Sequence, residues 1–211
     1  MAQRGRRKTR PSGDEREEAI LLGAERLMQE RPFALLSVED LASSAGLSRS
    51  AFYFYFSLKD DVLLALLHRV LNEAEERVAM LPRAFEPDPE AAWRRVIDAY
   101  VEVFASHRAV AVATLTARLH NAQIDELWSS SMTAWVRYTT EAIACERLRG
   151  VAAPGLDARN LAIALNLMNE RVISSVFVGE DPFIPESDVA GVLTSLWLQT
   201  IYGRMPLDLK P

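Results

Sequence analysis

The 211 residues are enough for one or two domains with a sizeable core, and 49% hydrophobic against 25% charged residues is an ordinary globular balance. The one cysteine, Cys145, excludes an internal disulfide and a zinc cluster of cysteines, and suits a reducing, cytoplasmic setting. Charge is unevenly placed: Arg4, Arg6, Arg7, Lys8 and Arg10 give residues 1–13 a charge of +5, so with −5 overall the remainder carries −10.

An acidic body repels nucleic acid, so any DNA contact must be local, made by the basic arm and a small adjacent surface. The same arm also reads as a solubilising tail. It is not a signal peptide, because "RGRRKTRPSG" leads into "DEREE" and not into an apolar stretch. No apolar run approaches the length of a membrane span; "VLLALL" and "AVAVATL" are far too short. The three histidines, His68, His107 and His120, have no helical pairing, and no nucleophile–base pair, metal-ligand spacing or phosphate loop stands out. The expectation is therefore a non-enzyme without cofactor or metal.

The first helix opens at Asp14 and places Ile20, Leu21, Ala24, Leu27 and Met28 at helical spacing, stopping near Pro32. In "LSVEDLASSAGLSRSAF", Ser37 with Asp40 three residues on forms a capping-box pattern, and Val38, Leu41 and Ala42 make one apolar face. Gly46 supplies a left-handed turn residue, and Ser48 caps the next helix through its hydroxyl. Helix, glycine-containing turn and helix within about twenty residues is the layout of a DNA-binding helix-turn-helix.

The run Phe52-Tyr53-Phe54-Tyr55-Phe56 has the propensity of a strand. Serine caps before it and a long helix after it favour a helix and its exit turn instead. Phe52 and Phe56, four apart, then pack inward against Leu41 and Leu47, while the Tyr53 and Tyr55 hydroxyls need polar partners, which phosphate oxygens can supply. Ser57 and Asp60 are candidate caps for a helix that continues to about Leu81; Pro82, Pro87 and Pro89 mark the next break. Further helices are expected at about 89–106, 108–120, 124–149, 157–179 and 186–203, so the chain reads as all-α.

The later helices carry aromatics in stripes. Trp93, Tyr100 and Phe104 fall near one face, as do Trp128, Met132, Trp135 and Tyr138 on theirs. The helix "LAIALNLMNERVISSVF" sets Asn166 and Asn169 on one stripe with Ile173 and Phe177. Amides on an apolar stripe need hydrogen-bond partners, and an aromatic cavity with a few polar groups is how small-molecule sites are built. Plain core, with the asparagines bonding between helices, explains the same pattern.

The segment "SVEDLASSAGLSRSAFYFYFSLKDDVLLALL" resembles the DNA-binding domain of TetR-type transcriptional regulators through Ala42, Ala45, Gly46, Leu47, Ser48, Tyr53, Phe56 and Lys59. Where the family often has Pro-Ser before the lysine, this chain has Ser57-Leu58. The resemblance implies an all-α fold of about nine helices, with a basic arm over 1–13, a three-helix DNA-binding domain over 14–60 and a ligand-binding and dimerisation domain over 61–211. It implies a cytoplasmic, nucleoid-associated homodimer that binds double-stranded operator DNA, with no membrane partner, released by an elongated apolar effector. A ligand-independent regulator or an activator is the alternative.

On that resemblance a recognition helix at about 48–54 presents Ser48, Arg49 and Ser50. Arg49 has two roles open, direct base readout or a phosphate contact. Tyr53, Tyr55, Lys59 and the helix start at Ser37 would contact phosphate, with simple packing equally open for Tyr55, and Arg4, Arg6, Arg7 and Lys8 would add backbone or minor-groove contacts. The resemblance also turns the aromatics Trp93, Tyr100, Phe104, Trp128, Trp135, Tyr138, Phe177 and Trp197, with Met132, Asn166 and Asn169, into the lining of a ligand tunnel. Ser174 stands where the resembled member has a phenylalanine, so the tunnel's shape differs. The last two helices would form the dimer interface, with Leu193, Leu196 and Ile201 as candidate members.

Overall fold

The computed structural model describes residues 12–81 and 88–203. Among these the chain is all-helical: α1 (Gly13–Glu30), a short 3-10 turn (Phe33–Leu35), α2 (Val38–Ser44), α3 (Arg49–Phe52), α4 (Lys59–Ala79), α5 (Pro89–Ser106), α6 (Arg108–Ala117), α7 (Ala122–Leu148), α8 (Ala158–Val178) and α9 (Glu186–Tyr202). The chain divides into two compact units between Leu66 and Leu67, inside α4. The basic arm residues Arg4 to Arg10 lie outside the described residues, as do Pro82 and Pro87.

Side chains set most of the helix starts. Ser12 and Glu15 form a capping box on α1, the Ser12 hydroxyl accepting the Glu15 amide at 3.2 Å while the Glu15 carboxylate accepts the Ser12 amide at 2.7 Å. Ser37 and Asp40 repeat it on α2 at 3.2 and 2.8 Å. Ser48 caps α3 by accepting the Ala51 amide at 3.2 Å. Pro89 stands at the expected start of the helix over 89–106: it is the first residue of α5, where the missing amide costs nothing, and Asp88 caps it. At the start of α4 the Asp61 carboxylate accepts the Leu58 amide at 2.8 Å; Asp60, an expected cap, lies within the first turn.

In the first unit α1 packs on α2 and α2 on α3. Ile20, Ala24, Leu41 and Phe52 are fully buried, and Phe56 nearly so. The Phe52 and Phe56 rings lie 5.8 Å apart. Leu47 is only half-buried. Gly23 marks the α1–α2 crossing: a Cβ there would stand 2.1 Å from the Ser44 hydroxyl. Gly46 turns the chain between α2 and α3 at φ 68°, as its place in the motif predicts.

In the second unit α7 packs on α8, α5 on α9, and α6 and α9 against α8. By length and composition α8 is apolar enough to cross a membrane, which corrects the expectation that no segment qualifies. Its place in the fold accounts for the composition: Leu161, Ala162, Leu165, Ile173, Val176 and Phe177 are buried among α6, α7 and α9, and Asn166, Asn169 and Glu170 interrupt the apolar run. Leu193 and Ile201, expected at a dimer interface, are buried in the protomer's own core because they face inward on α9; Leu196 is exposed, as are Leu167 and Val178 on α8.

Candidate functional site

In the first unit the cap at Ser48 fixes where α3 begins and which residues open it. Ser48, Arg49 and Ser50 are exposed, and the Ser48 and Ser50 hydroxyls bond each other at 3.0 Å. Tyr53 is exposed, Tyr55 half-buried, and Phe54, between them, is 87% exposed. Helix α3 ends at Phe52, so Tyr53 to Tyr55 form its exit turn and not helix, shorter than the expected 48–54. Phe54 carries no hydrogen-bonding group and had no assigned role; its solvent-facing position needed the turn geometry.

Two expected phosphate contacts look different in three dimensions. The Lys59 ammonium donates to the carbonyls of Phe33, Ala34 and Leu36 at 3.2, 3.3 and 3.1 Å, and sits 4.8 Å from the Phe33 ring centroid. Those carbonyls engage all three of its hydrogens, so in this geometry Lys59 ties the 3-10 turn to the start of α4 and has none left for phosphate. At Ser37 both the amide and the hydroxyl donate to Asp40, whose carboxylate also pairs with Arg31 at 2.7 Å. The Ser37 hydrogen bonds, then Arg31, pull the Asp40 pKa down to about 2. A carboxylate this firmly ionised at the start of α2 opposes phosphate approach by Ser37 itself.

In the second unit the stripes from α5, α7, α8 and α9 converge. A narrow crevice of about 20 Å³ is lined by Tyr100, Met132, Trp135, Tyr138, Asn166, Asn169 and Trp197, together with Val96, Ile97 and Thr139. A second, also of about 20 Å³, is lined by Tyr100, Phe104, Trp128 and Phe177, with Ala111, Leu115, Glu170, Ile173 and Ser174. Tyr100 lines both. The rings make a continuous series of contacts, Trp128 to Phe104 at 5.8 Å, Phe104 to Tyr100 at 4.5 Å, Tyr100 to Trp135 at 5.6 Å and Trp135 to Tyr138 at 6.4 Å. Burial raises the Tyr100 pKa, with Glu170 adding to it, so the phenol stays protonated.

Trp93 is the expected lining residue that this geometry puts elsewhere. It is fully buried, packs on Trp197 with ring centroids 4.9 Å apart, and lines neither crevice. Its indole donates to the Tyr202 hydroxyl at 3.0 Å, which donates to the buried Glu146 at 3.1 Å. Glu146 in turn pairs with Arg149.

The asparagines do both things the sequence left open. Asn166 donates to the Thr139 hydroxyl at 3.1 Å and the Ala162 carbonyl at 2.9 Å, and Asn169 accepts from the Trp197 indole at 3.0 Å. Both also line the first crevice. Sequence reading missed Glu170, which accepts from Arg118 at 2.7 Å while that guanidinium lies 5.1 Å from the Trp128 ring. Its available signal was an acid one residue after Asn169 on an apolar helix. The Trp128 and Trp135 indole nitrogens and the Ser131 hydroxyl are buried without any hydrogen-bond partner. Each such group costs ~1–3 kcal/mol while unpaired.

A capped helix-turn-helix and a separate helical unit with an aromatic cavity define a DNA-binding regulator of the one-chain, two-unit kind. Residues 20–66 match the bacterial regulatory proteins of the tetR family, and residues 93–203 match the C-terminal domain of the transcriptional regulator EthR. The protein belongs to the TetR family of transcriptional regulators, with a C-terminal domain of the EthR type. It is 48% identical over 202 residues to the HTH-type transcriptional regulator EthR of Mycobacterium tuberculosis, covering 95% of this chain and 94% of that one. Against EthR of Mycolicibacterium smegmatis the identity is 42% over 204 residues, covering 97% and 94%. These relatives are regulators, not enzymes. A Saccharomonospora viridis protein solved in complex with choline superposes with TM-score 0.77 at 22% identity, covering 90% of this chain and 100% of that one, which shows the shared fold.

Proposed function

We propose that this protein is a repressor that binds operator DNA as a homodimer and is released by an elongated, largely apolar small molecule. The observation that carries the reading is the aromatic cavity, with its unpaired donors, in a chain whose other unit is a TetR-type helix-turn-helix. Arg49 and Ser50, at the start of α3, reach base edges; the Tyr53 hydroxyl binds phosphate; the arm residues Arg4, Arg6, Arg7 and Lys8 add backbone contacts. The exposed apolar residues of α8 and α9 pair with those of a second copy, presenting two α3 helices to half-sites about one helical turn, ~34 Å, apart. The dimer works on DNA in the cytoplasm. Ligand favours a conformer with the wrong half-site spacing, and it shifts that balance only through its differential affinity for the two conformers.

Fluorescence anisotropy on the DNA upstream of the protein's own gene, with scrambled DNA as control, tests this. The expected result is tight, salt-sensitive binding to the first DNA and its reversal by cavity ligands. Equal operator affinity with the cavity full or empty would overturn ligand release.

A further inference from the structure

We infer that the open groove between α4 and α7 is a binding site for a small zwitterion, a quaternary ammonium carboxylate, whose cation meets Glu75, Trp135 and Tyr138 and whose anion meets Arg137. The site lies outside the aromatic cavity, although Trp135 and Tyr138 stand in the wall of both.

Helical spacing builds the groove. Glu75 stands three and four residues before Val78 and Ala79 on α4, and Ala134 stands three and four before Arg137 and Tyr138 on α7, so each set shares one helix face. The space between them is about 250 Å³, far more than one water occupies, against about 20 Å³ in each crevice. The Trp135 and Tyr138 rings lie at 79° to each other with centroids 6.4 Å apart, two walls of a corner. Trp135 is half-buried while its indole nitrogen is fully buried, so the part of the ring that reaches the surface is carbon. Aromatic carbon attracts a cation through the ring quadrupole, tryptophan most strongly. Val78, Ala79 and Ala134 bring no side-chain acceptor for an N–H, which favours a methylated ammonium over a primary one. Glu75 supplies the opposite charge. Arg137 repels a guest that is only a cation, and a guanidinium is well matched by a carboxylate. Glu75 and Arg137 are both exposed, and among the described residues neither makes an ion pair, with the other or with a third group. A guest that carries both charges satisfies both.

The test is isothermal titration calorimetry on the full-length protein at low salt, with two probes. One is γ-butyrobetaine, a trimethylammonium joined to a carboxylate by three methylenes. The other is butyltrimethylammonium, which has the same cation and a similar chain but no carboxylate. Glu75→Gln and Arg137→Gln each remove one charge at an exposed position and should leave the melting temperature nearly unchanged. The parent is expected to bind γ-butyrobetaine more tightly than butyltrimethylammonium. Glu75→Gln is expected to weaken both probes about threefold, within the range of one exposed ion pair. Arg137→Gln is expected to weaken γ-butyrobetaine about threefold and to leave butyltrimethylammonium no weaker. No heat of binding from γ-butyrobetaine at millimolar concentration would overturn the inference. So would γ-butyrobetaine binding that either variant leaves unchanged, or an Arg137→Gln loss as large for butyltrimethylammonium as for γ-butyrobetaine.

Discussion

The Lys59 ammonium has three hydrogens and three carbonyls that receive them, so its expected effect is on folding more than on DNA. Lys59→Met should cost ~1–2 kcal/mol of stability, since hydrogen bonds from a charged group are the stronger kind, but the side chain is partly exposed. Operator affinity, measured well below the melting temperature, should fall little. Arg49→Ala should do the reverse, leaving the melting temperature unchanged and weakening operator binding by ~1–3 kcal/mol if the guanidinium bridges a guanine. Thermal melts and anisotropy on the two variants separate the roles. Asp40 adds a pH signature. Its folded pKa of about 2 lies below the unfolded value of 3.8, so its contribution is present above about pH 4 and is lost as pH falls through 2. Melting temperatures taken from pH 5 down to pH 2 should fall less steeply in Asp40→Asn than in the parent.

At the scale of elements, α1 and α2 cross closely at Gly23. Ser44 leaves no room for a side chain at Gly23. Gly23→Ala should therefore destabilise the helix-turn-helix by ~1–3 kcal/mol through overpacking, despite alanine's better helix propensity. The pair Gly23→Ala with Ser44→Gly should recover much of that loss, and chemical denaturation of the single and double variants measures it. The α5–α7–α8–α9 group behaves differently. Its rings touch in series, and three polar atoms on α7 are buried without a hydrogen-bond partner.

At the scale of the whole molecule, charge is segregated: five cations in the first thirteen residues precede a body of net −10. Operator affinity should fall linearly in log–log against salt, at about −0.9 per phosphate contact. Removing residues 2–10 should flatten that slope by several contacts, and titrations at four or five salt concentrations would reveal it. An unchanged slope would mean that the arm only solubilises the chain. All four tryptophans lie in the second unit, so their emission reports ligand there without direct contribution from the DNA-binding residues.

The sequence by itself determined the helices, the motif and the caps within it. Ser37 with Asp40, Ser48 and Gly46 act through bonds or dihedrals within a few residues, and such local chemistry is legible in order along the chain. It also marked the stripes from which ten of the eleven expected cavity residues line the crevices. Only the tertiary structure decided what those residues do. Trp93 against Tyr202, Lys59 against the 3-10 turn, Arg118 against Glu170, and the inward turn of Leu193 and Ile201 join groups tens of residues apart or set one helix's rotation against another. Periodicity tells which residues share a face of one helix. It does not tell which neighbour that face meets, and the neighbour decides whether a polar side chain is satisfied within the fold or left waiting for a partner from outside.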